Sequence, residues 1–548
     1  MTGSLRGADL VLRTLERAGC RVAFTLSGNH IMSLFDAALE TGIDLLHVRH
    51  EAAAVHMADA YGRLTGEPGV ALATGGPGHA NAAAALFTAK GQESPVVLLS
   101  GHTETSQLGR GGFQELAQAE MAAPVAKASW MASEGARLGH EVARAIRLAR
   151  TGRPGPVHLS LPSDLLDATL GESDALLPDS TAFTPPVAGL ADAVADAVLA
   201  ILAEAKRPLL IAGPQLANRA GRQLLARLEA ALEAPVCIME SPRGLADAGL
   251  GAIGAVVPEV DCVLLLGKTL DFTLRFGGPP FRPSCRWIVV DPEGLWLERA
   301  RRELGERLAF ATIADTRPAG EALIRRARQR PARASWRADA RALMDVRPRE
   351  WAGLRSAMPG KLHPYEVFAA LKPLVERDPD AVLICDGGEF AQWGQSLLSN
   401  ERRLINGVGG SIGASLPFAL AARVLARTAP VFAVLGDGTV GFHIAEFETA
   451  FRRDLPFVAI VGNDARWNAE HNLQLRDYGP ERTHGCELSP ARYDLVAAAL
   501  GGHGALVECA ADLAPAVERA LASGRPACVN VMIESAAAPV IRRAARNR

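Results

Sequence analysis

The sequence predicts an α/β protein built from three doubly wound parallel sheets, and three observations carry that expectation. Short apolar runs alternate with helix-length stretches through the chain, the pattern of a parallel sheet covered on both faces. Two breaks, a polar proline-containing stretch at 172–186 and another at 348–364, divide this alternation into three segments. A length of 548 residues is that of roughly three or four domains. The expected bounds are 1–171, 187–335 and 362–540, followed by a basic tail at 541–548 that carries Arg542, Arg543, Arg546 and Arg548.

In the first segment strands are expected at 22–26, 45–48, 70–74, 96–99 and 157–161. The second opens with a helix at 191–205 and continues with strands at 209–212, 236–238, 262–266 and 287–290. The third, from Pro364, holds strands at 382–385, 431–435, 457–461 and 527–531. Segments one and three share a general strand–helix rhythm without a short sequence repeat. The arginine-rich stretch 323–349 reads as a solvated helical face.

Composition excludes several classes. With 58 basic against 60 acidic residues, the chain has no electrostatic footprint for nucleic acid. Its eight cysteines stand singly, so neither a metal cluster nor a disulfide framework is expected. No run approaches the ~18 apolar residues of a membrane helix, and Met1 to Arg6 lack the apolar core of a signal peptide. The expectation is a cytoplasmic protein acting on a small molecule, with no membrane or nucleic-acid partner.

The most informative stretch is Gly436-Asp437-Gly438, at the end of the buried strand 431–435. A helical stretch, 444–451, leads to a second apolar run that ends at Gly462-Asn463-Asp464. Asp437 and Asp464 thus stand at the carboxyl ends of two parallel strands of one βαβ unit, where open α/β sheets bind ligands. Glycines let the backbone approach a phosphate, and hard carboxylate oxygens suit Mg²⁺ held against a diphosphate.

Other candidates need context. Gly407 to Gly413 looks like a dinucleotide fingerprint, with Asp437 at a suitable distance downstream. Only a short run, Arg403-Leu404-Ile405, precedes it, and Asp437 sits in its own glycine turn, which suits a metal better than a ribose hydroxyl. Glu51 opens a helix, where it is either a dipole contact or a buried functional carboxylate. His30 follows the first strand, on the same edge as Glu51, and is either a satisfied structural histidine or a group facing a substrate. Gln114 is a second polar candidate there. The glycines of Gly75-Gly76-Pro77-Gly78 point to close backbone approach, and His79 in the same turn is ambiguous.

Together these residues resemble the pyruvate oxidase/acetolactate synthase superfamily of thiamine diphosphate (ThDP) enzymes, over essentially the whole chain. The resemblance implies a pyrimidine-binding, a central and a diphosphate-binding domain, and a homodimer or homotetramer with active sites between subunits. By that likeness Glu51 activates the cofactor, and Asp437, Asp464 and the Arg466 carbonyl bind Mg²⁺. Gly438 and Thr439 would contact the diphosphate, Gly410 the aminopyrimidine, and Ile412 would wedge beneath the bent cofactor. Gly388, Glu389 and Trp467 complete the expected cofactor contacts. The family usually has Asn-Asn where this chain has Asn463-Asp464, so a nearby group should offset the added charge. Gly28-Asn29-His30-Ile31, Phe113-Gln114 and Asp464-Ala465-Arg466-Trp467 are most similar to benzaldehyde lyase and the acetolactate-synthase-like 2-hydroxyacyl-CoA lyases. The implied activity is a lyase or carboligase working through an enamine, with His30 moving the substrate proton and Gln114 holding the same oxygen. An acetolactate synthase or 2-keto acid decarboxylase, a flavin-containing relative, and a non-catalytic relative of the same fold are the alternatives.

Overall fold

The computed structural model describes residues 5–171, 175, 177–327 and 333–541, so Arg542, Arg543, Arg546 and Arg548 of the expected tail lie outside the described residues. The chain forms two compact units, one of residues 1–186 with 420–425 and 448–454, the other of the remaining residues.

The first unit contains a six-stranded parallel sheet ordered Asp44–His47, Val22–Thr25, Gly69–Ala73, Val96–His102, Pro156–Pro162 and Ala128–Met131. Its central strands are buried along their whole length because helices cover both faces, which explains why they read as unbroken apolar runs. A two-residue antiparallel pairing of Leu5–Arg6 with Thr169–Leu170 joins the start of this segment to its end. Part of the expected linker belongs to this unit: Phe183 is buried in its core.

The second unit holds two sheets. One is five-stranded, ordered Val236–Ile238, Pro208–Ala212, Cys262–Leu266, Arg286–Asp291 and Leu308–Ile313. The other has six strands, ordered Arg402–Ile405, Val382–Cys385, Val431–Gly436, Val458–Asn463, Ala527–Met532 and His503–Val507. All its pairings are parallel. With strands numbered in chain order within each sheet, both six-stranded sheets read 2-1-3-4-6-5. The shared rhythm of segments one and three is therefore a shared topology. In each, the order reverses between strands 1 and 3, which opens a crevice at the carboxyl edge.

Besides Arg402–Ile405 and the two-residue strands Leu5–Arg6 and Thr169–Leu170, three strands among the described residues escaped the sequence reading: Ala128–Met131, Leu308–Ile313 and His503–Val507. Each sits at a sheet edge and is only partly buried; Ala128–Met131 and His503–Val507 offer no long apolar run, whereas the short run Leu308 to Ala311 was passed over. Two expectations are corrected. The run before Gly407 is a true strand, Arg402–Ile405, paired with Val382–Cys385. Three described arginines of 323–349 are not merely solvated: Arg326 pairs with Asp196, Arg337 with Glu233, and Arg341 with Glu229; Arg328 and Arg330 lie outside the described residues.

Within the second unit, arginine–carboxylate contacts tie the two sheets together. Glu240, just past an edge strand of the five-stranded sheet, accepts from Arg222 at 3.2 Å and from Arg403 at 2.9 Å. Arg219 reaches Asp380 at 2.7 Å and Glu401 at 3.1 Å. Glu240 is almost fully buried, so removing it leaves two guanidinium groups sharing no carboxylate there. Glu240→Ala should destabilise the protein by about 3 kcal/mol, read as a drop in denaturant midpoint. An unchanged midpoint would show that these contacts contribute nothing to holding the unit together.

Candidate active site

In the six-stranded sheet of the second unit, strands 1 and 3 of the switch point are Val382–Cys385 and Val431–Gly436. The turns that leave them, with the turn after Val458–Asn463, enclose a pocket of about 80 Å³. Of the expected cofactor and metal residues, Gly388, Glu389, Ile412, Asp437, Gly438, Thr439, Asp464, Arg466 and Trp467 line it, whereas Gly410 does not. Glycine is required where backbone must come close: a β-carbon on Gly438 would lie 2.6 Å from the Trp467 ring, and one on Gly387 2.5 Å from Ile412 Cγ2.

Asp437 and Asp464 are both buried, and each has one carboxylate oxygen, Oδ2, with no hydrogen-bond partner. Burial raises the pKa of both, and the charge of Asp464 raises that of Asp437 further. The expected offset to the extra charge at Asp464 is not a basic side chain. Among the described residues neither carboxylate makes an ion pair; Asp464 is opposed by Ser535, and the Arg466 guanidinium turns 4.0 Å from Glu487. Two orphaned carboxylate oxygens beside a glycine-floored pocket fit a hard divalent cation held against a diphosphate. Among the described residues no group of three His, Cys, Asp or Glu side chains is placed to hold a metal ion.

Asn463 does not face the pocket. Its amide donates to Ala491 O at 2.9 Å and to Asn530 Oδ1 at 3.2 Å, behind the turn that carries Asp464. Glu389 is likewise engaged, with Arg243 at 3.0 Å. The glycine-rich turn 407–413 has the strand and helix of a dinucleotide fingerprint, yet the Gly413 amide is bound by Asp386, at 3.0 and 3.1 Å. Asp386 also accepts from Ser415 at 2.8 Å and from the Gly387 amide at 2.7 Å. A buried carboxylate thus sits where a dinucleotide phosphate would need those donors.

In the first unit, the corresponding switch point lies between Val22–Thr25 and Gly69–Ala73. There the turn Gly75-Gly76-Pro77-Gly78 is the common floor for all three expected catalytic residues. A β-carbon on Gly75 would lie 3.3 Å from His30 Nδ1, on Gly76 2.6 Å from the Gln114 carbonyl oxygen, and on Gly78 3.2 Å from Glu51 Oε1. Glu51 is buried in the first turn of Glu51–Thr65 and accepts from Asn81 Nδ2 at 3.0 Å. His30 is buried, its ring stacked on Phe113 at 5.8 Å and 23°. Burial lowers its pKa, a hydrogen bond to the Phe113 backbone raises it, and His102 lowers it. Gln114 takes a left-handed backbone, φ +57°, in a loop shaped by Glu115. The Glu115 carboxylate gathers the amides of Gly111 and Gly112 at 2.9 and 3.1 Å.

Sequence reasoning missed Gln118 and Thr74. Gln118 clamps the floor from below, accepting from Gly76 N at 2.8 Å and donating to Gly101 O at 3.1 Å and Ser160 Oγ at 2.7 Å. A lone glutamine at a helix start carries no signal of this. Thr74, the last residue before the glycines, could have been suspected from its place at a strand end.

Fold and site together define an enzyme that binds thiamine diphosphate. The profile described as "Thiamine pyrophosphate enzyme, N-terminal TPP binding domain" matches residues 5–121, and its C-terminal TPP binding counterpart matches residues 386–531. Acetolactate synthase large subunit IlvG of Mycobacterium tuberculosis is 32% identical over 546 residues, covering 98% of this chain and 97% of the relative. The 2-hydroxyacyl-CoA lyase of Oryza sativa subsp. japonica is 28% identical over 96% of this chain and 95% of its own. Oxalyl-CoA decarboxylase of Escherichia coli K12 is 27% identical over 97% and 95%. The chain belongs to the acetolactate-synthase-like superfamily of thiamine diphosphate-dependent enzymes. No helix among the described residues is long and apolar enough to cross a membrane.

Beneath the first-unit floor lie two buried histidines. His79 Nδ1 meets Ser100 Oγ at 2.9 Å, His158 Nδ1 meets Ser129 Oγ at 2.8 Å, and the two rings are 4.5 Å apart. Burial holds the His79 pKa down at about 4 and that of His158 well below the usual value, with repulsion from His79 and His102 adding to the latter. An unfolded histidine takes its proton near pH 6.5. Between there and about pH 4 the unfolded chain binds more protons, so stability falls as pH drops through that window. The thermal midpoint should decline across it, and less steeply in His158→Asn, which keeps a partner for Ser129 but does not titrate. Identical slopes would contradict this account.

Proposed function

We propose that this enzyme makes or breaks a carbon–carbon bond beside a carbonyl, as a Mg²⁺- and ThDP-dependent lyase or carboligase of 2-hydroxy ketones, 2-hydroxyacyl-CoA or 2-keto acids. The observation that carries the reading is His30, buried across the switch point from the glycine turn that also floors Glu51 and Gln114. Bound ThDP supplies the electron sink that lets a carbonyl carbon act as a nucleophile or leave. Asp437, Asp464 and the Arg466 carbonyl would hold Mg²⁺ against the diphosphate, with Gly438 and Thr439 on the phosphate oxygens. Glu51 would hold the aminopyrimidine ring, its carboxylate steadied by Asn81. His30 would meet the substrate oxygen at the bond that breaks or forms, and Gln114 would hold that oxygen in place. Assembly of two or four copies is part of this reading, as is a cytoplasmic location, which suits eight free cysteines.

The second reading is an acetolactate synthase, favoured by the 32% identity to that relative. Purified protein with ThDP and Mg²⁺ should be offered benzoin, pyruvate and a 2-hydroxyacyl-CoA, with aldehyde, CO₂ and acyloin followed by chromatography. Aldehyde without CO₂ supports the lyase; CO₂ with acetolactate from pyruvate moves the protein to the synthase. Asp437→Ala should abolish ThDP binding by calorimetry. His30→Ala should leave binding intact and slow turnover about 100-fold; unchanged rates on every substrate would remove the lyase reading.

A further inference from the structure

His30 has a built seat, and the seat specifies more than its position. Gly101, on Val96–His102, lies directly behind it: a β-carbon there would be 2.6 Å from His30 Cβ and 2.9 Å from its carbonyl oxygen. On the other side stands Thr74. Its side chain is wedged between two glycines, since a β-carbon on Gly28 would fall 2.3 Å from Thr74 Cβ and one on Gly78 2.7 Å from Thr74 Cγ2. With the methyl trapped, the hydroxyl is directed at His30 and meets two of its groups. The His30 backbone amide donates to Oγ1 at 3.4 Å, and the ring Nδ1 lies 3.1 Å from the same oxygen.

Donor and acceptor accounting then favours one arrangement. The amide of His30 can only donate, so Oγ1 accepts there. The Thr74 hydroxyl proton needs an acceptor, and among the described residues His30 Nδ1 is the one within reach. The reverse arrangement, Nδ1–H donating to Oγ1, would leave the hydroxyl proton of half-buried Thr74 without a protein acceptor among the described residues. We infer that Thr74 is a positioning residue that fixes neutral His30 as the Nε2–H tautomer, so that the ring offers a hydrogen-bond donor to the substrate oxygen. Burial lowers the His30 pKa, in keeping with a neutral ring, and the ring's hydrogen bond to the Phe113 backbone calls for one ring N–H, which the Nε2–H tautomer supplies until a substrate oxygen takes it over. A neutral imidazole whose second nitrogen is held in this way can polarise a carbonyl oxygen without carrying a full charge into the site.

The role given to the donor rests on the proposed lyase or carboligase function; the tautomer itself does not. The test is therefore read in two ways. In protein labelled with ¹⁵N-histidine, the His30 signals, identified by their loss in His30→Ala, should show Nδ1 unprotonated and Nε2 protonated. Thr74→Ser should keep that pattern, whereas Thr74→Val, which keeps the shape and removes the hydroxyl, should lose it. In the same variants kcat should fall about 100-fold for Thr74→Val with KM little changed, and recover in Thr74→Ser. A protonated Nδ1 in the wild type, or the Nε2–H pattern retained in Thr74→Val, would overturn the inference. If Thr74→Val does not fold, the wild-type and Thr74→Ser spectra still decide the tautomer. Full activity in His30→Ala would instead remove the functional reading while leaving the tautomer intact.

Discussion

A parallel strand can be followed only by a crossover, and that constraint organises this protein. Each strand must leave the sheet at its carboxyl end through a turn tight enough to begin a helix. The six-stranded sheets share the order 2-1-3-4-6-5, so each opens its crevice between the first and third strands. In one the crevice is bordered by the turns carrying His30 and Thr74, in the other by those carrying Gly388 and Asp437. Thr74 and Asp437 occupy the same topological place, directly after or at the end of the third strand, though their chemistry differs.

Glycine sets how close these turns can come. Gly28, Gly75, Gly78 and Gly101 each face a neighbour that a β-carbon would strike, and among those neighbours are His30, Glu51 and Thr74. Gly438 and Gly387 do the same for Trp467 and Ile412. The glycines thus act less as flexible points than as absences of side chain, over which polar groups can be placed within hydrogen-bonding range. Rigid placement of this kind suits a site whose cofactor supplies the electronic chemistry and whose protein supplies orientation.

Charge is handled differently in the two parts of the second unit. Where the sheets are tied together, buried carboxylates have guanidinium partners, as Glu240 has in Arg222 and Arg403. At the pocket, Asp437 and Asp464 have none among the described residues, and both carboxyl pKa values rise. Leaving two carboxylates unneutralised is costly in an apolar setting, and a bound cation offsets the cost. Asp386 stands between these cases: hydroxyl and amide donors satisfy it, and it occupies the turn that most resembled a nucleotide site.

Much of this was legible in the chain. Buried strands such as Val458–Asn463 and Pro208–Ala212 are local apolar runs, and Gly436-Asp437-Gly438 is a local motif, so their positions follow from neighbouring residues alone. Edge strands such as His503–Val507 were not legible, because half-exposed residues carry no such run. Nor were Thr74, Gln118 and Asn81, whose partners lie 44, 42 and 30 residues away in sequence. The sequence by itself determined the fold class, and its short-range patterns marked Asp437, Asp464, Glu51 and His30 as candidates whose roles came from the family resemblance. Only the tertiary structure decided what holds those side chains, because contact across a switch point depends on strand order, which no local pattern encodes.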